Sequence, residues 1–387
     1  MKRIRLGLLG KIAVAIALGV LVGKYGPAPA VRTLNTFGGV FGQLVKFLVP
    51  FIILGLVTPA IAETGKAAGR MLLLTMAVAV ASTIFSGWYS FFMSKAVFAA
   101  VIDPVGLDGV NAAAKAFPAY FKIPIPPPFD VVTSLVASFM IGLGIVAVKG
   151  ERTLGLFNEL RDIVTATIAK AFVPLLPAYV MTVIADMTAC GKLAALAGPA
   201  IRVACCCIAF NVGLLLIQYA VAGIVAGKNP LTALWNMLPA YLTGWGCCSS
   251  AATIPVTLRQ TLKNGVDRDV ADLVVPLCSN VHLAGSMCNM VAYAAAIFFL
   301  AGEPLSAAAF AEYICMIAVV AVASPGVPGG VVLASATIVE SALGFTPERY
   351  ALMVAMYMAL DGMGTATNLT GDGAIALAVN RFRRRMR

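Results

Sequence analysis

A helix needs about 20 apolar residues to cross the hydrocarbon core of a bilayer. Measured against that length, the chain divides into long apolar stretches separated by short polar ones. Six come first, over 7–25, 37–61, 71–101, 129–149, 164–186 and 200–226. Each predicts a membrane-spanning helix. The Pro-rich run from Ile123 to Pro128 predicts an extended loop between the third and fourth. Lys149, Glu151 and Arg152 mark the loop after the fourth.

Beyond residue 226 the pattern changes. The apolar stretch 230–258 is interrupted from Gly244 to Thr253, and the stretch 304–343 is interrupted from Ser324 to Gly330. Each half is too short to span, and the breaks are rich in helix-ending residues. Unwound backbone at membrane depth survives only where protein or a water-filled cavity covers it. Two such segments in corresponding positions point to a transporter's binding site. They predict two re-entrant helical hairpins whose tips meet near the midplane. A seventh span over 270–300 lies between them, itself interrupted from Cys278 to Ser286, and an eighth runs over 347–380. The fold class expected is all-α: eight transmembrane helices plus two re-entrant hairpins.

The eighth span carries the strongest chemistry. Asp361, Thr365, Asn368 and Asp372 recur every three or four residues, which aligns them on one helix face with lipid-compatible flanks. A charge at that depth costs roughly 2.5–3.5 kcal/mol on insertion scales. Such a stripe implies a cation, a substrate or a partner. The bland alternative is that the two carboxylates only cap hairpin amides.

Composition agrees. Of 387 residues, 60% are hydrophobic and 12% charged, about half the charge of a soluble domain. The net charge of +11 is no nucleic-acid signal. Much of it lies at the ends, in Lys2, Arg3 and Arg5 and in Arg381, Arg383, Arg384, Arg385 and Arg387. Basic flanks stay cytoplasmic, so both termini are expected inside, with an even number of crossings. The short loops suggest a bacterial inner-membrane protein. The first stretch, with a basic lead and Ala28-Pro29-Ala30 after it, has features of a signal peptide; its length favours a retained span. Nine cysteines, among them Cys205 to Cys207, show no metal spacing and read as packing residues. The single histidine lacks a nucleophile and orienting partner, and no His-Glu-x-x-His run occurs, so an enzyme is not expected. No cofactor is expected beyond a coupling ion.

At these residues the chain resembles the dicarboxylate/amino acid:cation symporters, the glutamate transporter superfamily. The run from Ser249 to Val256 is similar to that family's first hairpin tip, and Gly326 to Gly330 to its second. Pro276 to Ser286 resembles its unwound seventh span, and Asn368 to Asp372 its cation-binding motif. The resemblance covers nearly the whole length and is densest from about 230 to 376. It implies a homotrimer in membrane lipid with an elevator mechanism. Its scaffold would comprise 1–70 and 103–190. Its transport domain would comprise the helix at 71–102 and everything from 191 to 387.

The resemblance also implies roles. Asp372 and Asn368 would hold sodium with backbone of the unwound span, including Cys278 and His282, and Ser324 would line a second sodium site. Asp361 would pair with a substrate ammonium group, while Thr365 and Asn368 would contact its polar groups. Ser249, Ser250 and Thr253 would receive its carboxylate at the first tip. Val327 and Pro328 would cap the site from the second.

The departures are informative. Where acidic-substrate members carry an arginine three residues after the ammonium-binding aspartate, this chain has Gly364. A buried side-chain carboxylate would then lack a charge partner. A small neutral amino acid, such as serine, threonine or alanine, fits better, and the nearest branch is the serine/threonine:sodium symporters. The aspartate of the family's deep sodium site is Ala284, which removes an oxygen a hard cation needs. His282 stands where an asparagine is usual. It could be a proton carrier beside Asp372, or a neutral ring bonding the unwound backbone. The expectation is therefore sodium-coupled symport. A proton-coupled amino-acid or dicarboxylate carrier, a passive channel and a degenerate binding-only paralogue are the alternatives.

Overall fold

The computed structural model describes residues 8–66, 70–103, 117–129, 131–189, 192–322 and 329–386. Among these the only regular structure is helical. The first three helices are α1 (Leu8–Tyr25), α2 (Ala28–Lys66) and α3 (Arg70–Val101). They are followed by α4 (Val131–Val148), α5 (Glu151–Thr167), a π-helical turn (Ile168–Phe172), α6 (Val173–Ala189) and α7 (Lys192–Ala226). The first interrupted stretch forms α8 (Pro230–Asn236), α9 (Leu238–Cys247) and α10 (Ser250–Lys263). The seventh span forms α11 (Arg268–Val281) and α12 (Ala284–Ala301). The second interrupted stretch forms α13 (Ala307–Val322), α14 (Gly330–Ala334) and α15 (Ala336–Leu343), and α16 (Pro347–Met386) ends the chain.

Three stretches among the described residues are long and apolar enough to cross a membrane: Met71–Val101, Gly198–Ala226 and Arg268–Ala301. The bent pair Glu151–Phe172 and Pro177–Asp186, at 52°, makes a fourth. The predicted loop after the fourth span shrinks to a turn at Lys149 and Gly150, because helix resumes at once at Glu151. The predicted breaks shrink too. Only Cys248 and Ser249 separate α9 from α10, and only His282 and Leu283 separate α11 from α12. Helical hydrogen bonding proceeds through the glycines and serines that flank each break, since burial among other helices offsets their weak propensity.

Small residues bring the helices together. On α1, a Cβ at Gly19 would lie 2.9 Å from the Met181 carbonyl oxygen on α6, and one at Gly23 would strike that of Ala185. On α4, a Cβ at Gly142 would lie 2.8 Å from Ile61 on α2. Helix α12 packs against α3, α7 and α16, and α16 against α7, α9 and α11 as well. The apolar flanks of the polar stripe meet protein. Every residue from Asp361 to Leu377 is buried, so the middle of α16 is enclosed on all sides by protein.

Candidate functional site

The polar stripe forms as its spacing predicts, on one uninterrupted helix. Asp361, Thr365, Asn368 and Asp372 are 5%, 7%, 2% and 0% exposed. What faces them is the broken seventh span and the two hairpins.

Asn368 lies against the α11–α12 break. Its Oδ1 accepts from the amides of Gly285 at 2.7 Å and Ser286 at 3.1 Å, and its Nδ2 donates to the Ser286 hydroxyl at 2.9 Å. A helix begins with amides that lack partners. Here a side chain from another helix supplies the acceptor, which fixes where α12 starts. The approach needs Gly285, where a Cβ would lie 2.5 Å from the Gly364 carbonyl oxygen and 2.5 Å from Thr367 Cβ. Both lone pairs of the Asn368 oxygen are engaged in this arrangement.

Asp372 faces the break one turn further on. Its Oδ1 lies 2.9 Å from His282 Nδ1, and His282 Nε2 lies 3.1 Å from the Ser82 hydroxyl on α3. Gln218 on α7 donates its Nε2 to the same hydroxyl at 3.1 Å. With a neutral ring the bonds run in one direction, Gln218 donating to Ser82, Ser82 to His282 Nε2, and His282 Nδ1–H to the carboxylate; a ring protonated on both nitrogens would instead donate to the Ser82 hydroxyl. The ring's bonds therefore run to side chains, Asp372 and Ser82, rather than to the backbone of the break. Asp372 Oδ2 is buried and has no hydrogen-bond partner in the structure. The Cys278 carbonyl accepts from the His282 amide at 2.8 Å, so helical bonding continues to the edge of the break. Ala284, at the position of the family's deep-site aspartate, is fully buried.

Asp361 meets the second hairpin. Its Oδ2 accepts from the Gly329 amide at 2.9 Å. Gly329 caps α14 with φ +73°, a conformation glycine adopts without steric cost. The other second-tip residues named from the sequence, Ser324, Val327 and Pro328, lie outside the described residues. Asp361 thus takes a hairpin amide, and the Tyr357 hydroxyl one turn earlier on α16 also bonds it.

The first hairpin tip is close by. Cys248 ends α9 in the left-handed conformation, φ +51°. A Cβ at Gly362 would strike the Trp245 carbonyl oxygen, so the tip seats directly on α16 beside Asp361. Ser250 is buried and Ser249 half-buried. The Thr253 hydroxyl donates back to the Ser250 carbonyl at 2.8 Å, within its own helix.

The structure thus gathers Asp361, Asn368, Asp372, His282 and the first tip around one helix. Sequence reasoning missed Ser82, Gln218, Asn211, Asn289 and Gly329. The first four are polar side chains in otherwise apolar stretches, which is itself a signal of function at membrane depth. Nothing local says which of them meet. Among the described residues no group of three or more His, Cys, Asp or Glu side chains could hold a metal ion.

The sequence pattern of the sodium:dicarboxylate symporter family matches residues 8–382. Bovine neutral amino acid transporter B(0) is 24% identical over 412 aligned positions, covering 93% of this chain and 76% of that protein. Human neutral amino acid transporter A is 30% identical over 146, covering 38% of this chain and 27% of that protein. Human excitatory amino acid transporter 2 is 28% identical over 150, covering 38% and 26%.

Proposed function

This chain belongs to the sodium:dicarboxylate symporter family, and we propose that it is a secondary active symporter that moves a small neutral amino acid with sodium. Similarity to two neutral amino acid transporters supports the substrate class. The observation that carries the reading is the pair of buried carboxylates, Asp361 and Asp372, on one face of α16 at the two helix breaks. Buried charge requires compensation. Asp372 retains an unpartnered oxygen for a cation, and among the described residues Asp361 is held only by neutral donors, the Gly329 amide and the Tyr357 hydroxyl, the first of which an ammonium group can displace.

The mechanism proceeds from that compensation. Sodium binds at Asp372 with backbone of the α11–α12 break, while Asn368 holds the break in register. The substrate's ammonium group pairs with Asp361, and its carboxylate meets Ser249 and Ser250 at the first tip, beside the start of α10. The second hairpin then closes over the site. Closure without cation and substrate would leave carboxylates uncompensated, which couples the two fluxes. In this reading 1–70 and 103–190 form a scaffold. The remainder forms a transport domain that shifts as an elevator, within a homotrimer of a bacterial inner membrane with both termini cytoplasmic.

The His282–Asp372 contact supports a second reading, in which protons replace sodium as the coupling ion. Purified protein in liposomes, with sodium and proton gradients imposed separately, tests both against a panel of amino acids and dicarboxylates. The first reading requires sodium-driven accumulation of a neutral amino acid and trans-stimulated counterflow. Uptake driven only by protons favours the second. Flux without counterflow indicates a passive channel and sinks both.

A further inference from the structure

Gly364 lies midway between Asp361 and Asn368 on the stripe, and something else fills the place of its side chain. A Cβ there would come within 3.0 Å of Asn289 Nδ2 and 3.5 Å of the Ser286 Cα and amide nitrogen. Asn289 projects from α12 one turn after Ser286. It is completely buried, and its Nδ2 has no hydrogen-bond partner in the structure.

The orientation of that amide is set from behind. Asn211 on α7 donates its Nδ2 to the Cys207 carbonyl at 2.8 Å and to Asn289 Oδ1 at 2.7 Å. The Cys207 contact fixes which end of the Asn211 amide is the donor. Asn289 must therefore turn its oxygen towards Asn211 and its two N–H bonds towards α16. The missing side chain at 364 is what lets those donors reach the stripe.

We propose that Asn289, oriented by Asn211, is a specificity residue that reads the side chain of the transported amino acid. This rests on the symporter reading above. A solute anchored to Asp361 by its ammonium group lies one turn of α16 from Gly364, where the Asn289 donors await an acceptor. A hydroxyl or carboxamide oxygen satisfies them. A purely aliphatic side chain leaves a buried donor unmet. A carboxylate accepts the bond but brings a charge that a neutral amide does not compensate. The substrate class is thus a neutral amino acid with a side-chain oxygen, preferred over its aliphatic analogue.

The test uses wild type, Asn289→Leu and Asn211→Leu in proteoliposomes, with KM measured for serine and for alanine in each preparation. The ratio of the two within one preparation does not depend on the folded fraction. Asn289→Leu is expected to raise the serine KM about tenfold more than the alanine KM, as loss of one buried hydrogen bond implies. Asn211→Leu leaves Asn289 free to turn its oxygen outward, and is expected to shift the ratio in the same direction by less. An unchanged ratio in Asn289→Leu overturns the assignment and leaves the symporter reading intact, provided the wild type accumulates a neutral amino acid. A wild type that accumulates none overturns both.

Discussion

The contact most open to direct test is the one between Asn368 and the start of α12. Replacing Asn368 with Ala removes the acceptor of two buried amides, Gly285 and Ser286, and the donor to the Ser286 hydroxyl. A buried donor left unmet costs about 1–3 kcal/mol, and loss of a helix cap costs about 1 kcal/mol in the typical case. Relaxation of the break recovers part of this. A net loss of about 3 kcal/mol is expected, a fall in Tm of roughly 4 °C for a chain of 387 residues. Asn368→Asp retains both acceptor lone pairs and should keep the two amide bonds, but it adds a buried carboxylate and loses the donor to Ser286, so its Tm falls as well. The measurement is thermal unfolding of the detergent-purified protein, paired with hydrogen exchange at the amides of residues 285 and 286. Exchange should accelerate in the Ala variant and much less in the Asp variant. If Asn368→Ala melts with the wild type, or if its amides at 285 and 286 exchange no faster than the wild type's, the side chain does not hold the break.

Gly285→Ala should be the more damaging of two neighbouring glycine changes. Its Cβ meets the backbone oxygen of Gly364 at 2.5 Å, whereas that of Gly364→Ala meets a side-chain amide at 3.0 Å. Overpacking costs about 1–3 kcal/mol, so Tm should rank Gly285→Ala below Gly364→Ala. His282→Leu strips Asp372 of its donor, and the buried carboxylate is then compensated only by a cation. Its Tm deficit should be larger in choline than in sodium, and equal deficits would remove the cation site at Asp372. In the turn before α13, the Glu303 carboxyl is held below its ordinary value, chiefly by the hydrogen bond from Arg349. Arg349 grips it through two bonds, of 2.8 and 2.5 Å. Because the folded value is depressed, the pair stabilises above the unfolded value and loses that contribution as pH falls through the folded one. The wild type should out-melt Glu303→Gln at neutral pH, and the gap should close from about pH 5 to pH 3. A gap that persists at the acid end assigns the effect to packing.

Much of the fold and of the site was legible along the chain, for reasons that differ by feature. Asp361, Thr365, Asn368 and Asp372 could be placed on one face because helical periodicity is a local property. The breaks at 248–249 and at 282–283 were foreseeable because glycine, proline and serine interrupt a helix by their own conformational preferences. The extent of each break was not, since the neighbouring helices decide how far helical bonding continues.

Sequence alone determined the apolar helices, the interrupted segments among them and the presence of buried carboxylates, because period, length and side-chain polarity are written residue by residue. Only the tertiary structure decided who meets whom. Ser82 reaches His282 across 200 positions, Asn211 turns Asn289 towards Gly364, and Asp361 takes the amide of Gly329. Such pairings depend on the register at which packed helices come to rest, which small-residue contacts such as Gly285 against Gly364 determine and no local pattern encodes.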